Sequence, residues 1–103
     1  MEGTMEIKIQ SIHFDATEKL QAFIEKKVAK LEKTYEDIQK VEVQLKVAKP
    51  ATALNKEVSI EITVPGNTLF AAKTCDSFEE AVDLTVDSIK VQLTKFKEKM
   101  RNH

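Results

Sequence analysis

The sequence predicts a two-layer α/β sandwich of order β-α-β-β-β-α, a four-stranded mixed sheet with two helices packed on one face. Three observations lead there. Four short segments alternate apolar and polar residues, the pattern of strands with one wet face. Two longer segments repeat apolar residues every three or four positions, the pattern of amphipathic helices. One of those helices separates the first two strands, so it is a right-handed crossover and the strands it joins run parallel. The later strands follow one another through short loops and run antiparallel. Each alternating strand has a single apolar face, so both helices must bury their stripes on that face.

The first strand, "MEIKIQSI" (5–12), sets Met5, Ile7 and Ile9 against Glu6, Lys8 and Gln10. "DATE" then offers Asp15 as a helix cap, with Glu18 three residues on to complete a capping box. From there to Tyr35 the helix carries a stripe of Leu20, Phe23, Ile24, Val28 and Leu31. "VEVQLKV" (41–47) alternates again, and "AKPATALNK" (48–56) is a loop containing Pro50. "EVSIEITV" (57–64) points Val58, Ile60, Ile62 and Val64 inward and Glu57, Ser59, Glu61 and Thr63 outward. In "PGN" (65–67), Pro65 fixes φ and Gly66 tolerates the positive φ of a type II turn. "TLFAAKTC" (68–75) is a less regular fourth strand. Asp76 and Glu79 form a second capping-box pair, opening a long helix striped by Phe78, Val82, Val86, Ile89, Leu93, Phe96 and Met100.

The 103 residues suit one domain spanning 1–103. With 42% apolar and 32% charged residues, the chain has a globular composition rather than a disordered one. No apolar run approaches the ~20 residues of a membrane span, so no membrane partner is expected. The start lacks the basic and apolar regions of a signal peptide. A single cysteine, Cys75, excludes an internal disulfide and suits a reducing compartment, which makes the cytoplasm the expected location. A net charge of −1 argues against a protein that coats nucleic acid indiscriminately. It leaves room for a local basic face, because binding depends on how charge is arranged.

The arrangement is uneven. In the first helix Lys19, Lys26, Lys30 and Lys33 fall along one flank of the apolar stripe, while Glu18, Glu25 and Glu32 line the other. Lys27 lies within the stripe and must snorkel or sit at its edge. The last helix sorts charge along its length: Asp76, Glu79, Glu80, Asp83 and Asp87 come first, then Lys90, Lys95, Lys97, Lys99 and Arg101. The helix dipole favours that order in the end turns. Lys90 lies three turns from the end, beyond the dipole's reach. The other explanation is a polyanion site formed by basic flanks of two helices on one side of the sheet.

"TEKLQAFIEKKVAKLEKTYEDI", "VEVQLKV" and "DSFEEAVDLTVDSIKVQLTKFKEKM", in this order and spacing, resemble the ribosome hibernation-promoting factor / protein Y family. The resemblance covers nearly the whole chain. It implies a domain that binds rRNA of the small ribosomal subunit through basic helix faces, blocks the mRNA and tRNA sites and inhibits translation in stress and stationary phase. It also implies pairing of idle ribosomes with the help of a separate ribosome-dimerising partner protein. Matching positions make Lys27 and Lys30 of the first helix and Lys95, Lys97, Lys99 and Arg101 of the last the expected rRNA contacts. Lys90 joins them, one place before Val91, where the family commonly has Arg. Ser88 stands where Lys is common, and Phe96 where a relative has His. The length is that of the short hibernation-promoting factor, without the second domain of longer relatives or the tail of protein Y. Such a protein is a monomer when free and needs no cofactor.

An enzyme is not expected. His13 and His103 are the only histidines, Cys75 the only thiol, and no Gly-rich phosphate loop is present. Glu57 and Glu61 read as solvated strand residues, Cys75 as a strand-end residue rather than an activated thiol, and no ligands cluster for a metal. The alternative is a double-stranded-RNA-binding module not specific to the ribosome, using two lysines of the 48–56 loop. A protein-binding module presenting the polar sheet face ranks behind it.

Overall fold

Alternation along the strands becomes a sheet with one buried and one open face. In a computed structural model describing residues 6–12, 14–47 and 55–101, Val41, Val43 and Leu45 are buried on strand β2 (Lys40–Val47). Val58, Ile60, Ile62 and Val64 are buried on β3 (Lys56–Val64). The intervening residues turn outward. β1 (Glu6–Ile12) pairs parallel to β2, with Ile7 beside Val41 and Ile9 beside Val43. β3 runs antiparallel to β2 and to β4 (Asn67–Cys75), giving the order β1-β2-β3-β4. The mixed sheet and its pairing directions are those the sequence predicts. Pro65 and Gly66 close the β3–β4 hairpin, and Gly66 adopts φ +79°, where only glycine sits without strain.

The crossover helix is divided. α1 (Glu18–Ala29) ends at Lys30, whose N–H reaches the Lys27 carbonyl three residues back at 3.3 Å. α2 (Leu31–Thr34) resumes at once. The expected unbroken helix to Tyr35 is therefore corrected, although the stripe continues across the break: Ile24, Val28 and Leu31 are all fully buried. α3 (Phe78–Arg101) is continuous and buries Val82, Ile89 and Leu93 above the sheet. Both helices thus fill the single apolar face. Buried Thr85 is satisfied by donating its hydroxyl to the Ala81 carbonyl at 2.6 Å.

Neither expected capping box forms. Thr17, not Asp15, caps α1, its Oγ1 accepting from the Leu20 N–H at 3.1 Å. Ser77, not Asp76, does the same for α3, accepting from the Glu80 N–H at 3.2 Å. In each case the residue directly before the first helical turn wins, because its side chain meets the free N–H groups of that turn. Two aromatic pairs brace the ends of the helical layer. Phe14 stacks on Phe78 with centroids 4.9 Å apart, and Tyr35 meets Phe96 edge-on at 5.5 Å. Phe96 thereby has a packing role. Met5, His13, His103 and most of the predicted loop, including Pro50, lie outside the described residues.

Candidate nucleic-acid interface

α1 and α3 lie side by side, and a helix repeats its faces closely every seven residues. Asp83, Lys90 and Lys97 are spaced by seven and therefore share one line along α3. Both ends of that line are fixed by contacts to the neighbouring helices. Asp83 Oδ1 lies 2.9 Å from Lys27 Nζ on α1. Lys97 Nζ donates to the Thr34 carbonyl, the end of α2, at 3.5 Å. Lys90, midway between them, thus faces the same groove. Lys30 follows Lys27 by three residues and stands on the same flank of α1. Four of the seven predicted contacts, Lys27, Lys30, Lys90 and Lys97, line one groove between the helices.

The remaining lysines go elsewhere. Gln92 donates from Nε2 to the Phe70 carbonyl of β4 at 2.8 Å, which fixes the opposite flank of α3. Lys95 and Lys99 follow Gln92 by three and seven residues and share that flank. The lysine-rich end of the chain is therefore two basic strips on either side of α3. Val91, 54% exposed, sits on the crest between them, in a shallow recess with Lys90, Thr94, Lys95 and Glu98. The side chain of Arg101 lies outside the described residues.

Lys27 resolves its sequence conflict by sitting at the edge of the stripe. Its side chain is one-third exposed, its ammonium lies 5.5 Å from the Phe23 ring centroid, and Asp83 holds it. Asp83 is the member of this site that sequence reasoning missed. The order of charges within each helix does not show a pair between helices. The seven-residue spacing of Asp83, Lys90 and Lys97 was the available signal.

Other chemistry finds less to work with. Burial, then the carboxylates of Glu80 and Asp76, push the Cys75 thiol above its ordinary value, against a smaller opposing effect of Lys73. That is the reverse of an activated nucleophile. Among the described residues no group of three or more metal-ligating side chains forms. Lys56, one of the two lysines assigned to the loop, belongs to β3 and donates to Asn55 Oδ1 at 2.6 Å. Glu57 and Glu61 lie on the open sheet face, beside Thr74 and Phe70 of β4.

Comparison with known proteins gives one consistent picture. The sequence pattern of the family described as sigma 54 modulation protein / S30EA ribosomal protein matches residues 7–101. A ribosome hibernation promoting factor of Escherichia coli is 31% identical over 96% of this chain and 100% of that protein. One from Pseudomonas putida is 29% identical over 95% of this chain and 92% of its own length. Two solved structures share the fold at 24% identity: a ribosomal subunit interface protein from Coxiella burnetii and the N-terminal domain of Thermus thermophilus protein Y. The first has a TM-score of 0.81, covering 91% of this chain and 99% of that one. The second has a TM-score of 0.77, covering 89% and 99%.

Proposed function

The chain belongs to the sigma 54 modulation protein / S30EA ribosomal protein family, and on that premise we propose that it is a ribosome hibernation factor that works by binding, without catalysis. Its target is the rRNA of the small ribosomal subunit. Seated there, it covers the mRNA and tRNA sites and stops translation. It acts in the cytoplasm, is a monomer when free, and favours pairs of idle ribosomes together with a separate dimerising protein.

The observation that carries this reading is the convergence of Lys27, Lys30, Lys90 and Lys97 on one groove, from two helices braced against the same sheet. Ammonium groups on such a frame neutralise phosphates and release condensed counterions, which gives affinity without reading bases. Lys95 and Lys99 add contacts to a second stretch of backbone beyond the crest of α3, and Arg101 adds a further phosphate contact at the end of the helix. The total charge of −1 fits a protein that must recognise one polyanion surface and ignore others.

The test is a competition on purified small subunits. Saturating protein should exclude both a fluorescent mRNA and initiator tRNA, in the same concentration range in which it binds. Undisturbed mRNA and tRNA binding, with the protein still on the subunit, would contradict the blocking mechanism.

A further inference from the structure

One acid is paired directly with a lysine of the cationic groove, at the end where Asp83 of α3 meets Lys27 of α1. Asp83 Oδ1 stands 2.9 Å from Lys27 Nζ, with the side chains 48% and 32% exposed respectively. Among the described residues, no carboxylate pairs in this way with Lys30, Lys90 or Lys97. Lys27 is, among the described residues, the groove lysine that enters binding already held by a carboxylate. Resting on the reading of the groove as a phosphate site, we infer that Asp83 is a resident competitor anion. It holds Lys27 in the free protein, must give it up to an rRNA phosphate, and so weakens binding and eases release.

The geometry suits such an exchange. Half-exposed ion pairs are held weakly and are open to competing ions. An ammonium has three donors, so it transfers from carboxylate to phosphate by rotation about its own bonds. The Phe23 ring stays against the ammonium through cation–π attraction and keeps the stem along the edge of the stripe. No backbone movement is needed. A carboxylate left beside a bound phosphate repels it, and this opposes the bound state for as long as it lasts. A factor that must silence ribosomes and later leave them gains from a penalty built into the contact itself.

The test measures affinity for purified small subunits as a function of salt, for wild type, Asp83→Asn, Lys27→Gln and the double variant. Glu61→Gln, which removes one charge from the opposite sheet face, is the control. Asp83→Asn should bind roughly one-and-a-half- to fivefold tighter at about 0.1 M salt, the range spanned by an exposed pair. Its plot of log K against log salt should steepen by up to about 0.9, one recovered phosphate contact. In the Lys27→Gln background the same change should give no gain, and Glu61→Gln should leave affinity unchanged. An unchanged Asp83→Asn overturns the inference, and a weaker one makes Asp83 a support that positions Lys27. A gain that survives loss of Lys27 reduces the effect to net charge and overturns it too. Wild-type protein with no salt-dependent binding would remove the groove reading along with this one.

Discussion

Reversing Lys90 and Lys97 together to Glu separates binding from folding. Lys90 is exposed, and Lys97 makes one long bond of 3.5 Å to the Thr34 carbonyl in an exposed position. The fold should therefore lose about 1 kcal/mol or less, the scale of one exposed hydrogen bond. Binding should lose far more. Two charged contacts at about 1.5 kcal/mol each amount to roughly a hundredfold loss of affinity. The slope of log K against log salt should flatten by about 1.4 to 1.8, at 0.7 to 0.9 per contact. Reversing Lys95 and Lys99, on the β4 flank, should cost less, on the order of tenfold. The assay is fluorescence anisotropy of labelled protein against small subunits, with urea melts confirming the fold. A Lys90/Lys97 variant that is folded and binds like wild type would refute the groove. So would a larger loss from the Lys95/Lys99 pair.

Three further outcomes follow from the fold. Leu93 is fully buried, so Leu93→Ala should cost about 2–5 kcal/mol in a urea melt, and a loss under about 1 kcal/mol would contradict its place in the core. Thr17→Ala and Ser77→Ala should each cost about 1 kcal/mol, and Asp15→Ala and Asp76→Ala about half that or less; the reverse order would restore the Asp caps. The Cys75 thiol is raised above 9.0 in the fold, so its contribution to stability is complete below the ordinary thiol value and is lost as pH rises through the folded one. Cys75→Ala should flatten that alkaline fall in pH-dependent melts, and an unaltered fall would assign it to another group.

The sheet was legible because strand alternation maps directly onto burial: Val41 to Leu45 and Val58 to Val64 turn the faces their spacing assigns. Pro65 and Gly66 marked the hairpin for the same local reason. Helix starts were less legible. Asp15 and Thr17 are both good caps, as are Asp76 and Ser77, and the choice depends on which residue ends up just outside the first turn. The break at Lys30 has no glycine or proline to announce it. The site was half legible. Lys27, Lys30, Lys90 and Lys97 were singled out as basic, and the structure brings them to one groove. The split of the lysine-rich end into two flanks, and the pairing of Asp83 with Lys27, depend on how two helices sit side by side. Charge sorting within one helix does not carry that information.

Sedimentation of the 103-residue chain with separated ribosomal subunits through sucrose gradients decides whether the groove is a ribosomal rRNA site. At low salt the protein should travel with the small subunit and not with the large one, an excess of short duplex RNA should fail to displace it, and raising the salt should return it to the top of the gradient. Protein that stays at the top at low salt, follows the large subunit, or yields to the duplex would contradict the assignment.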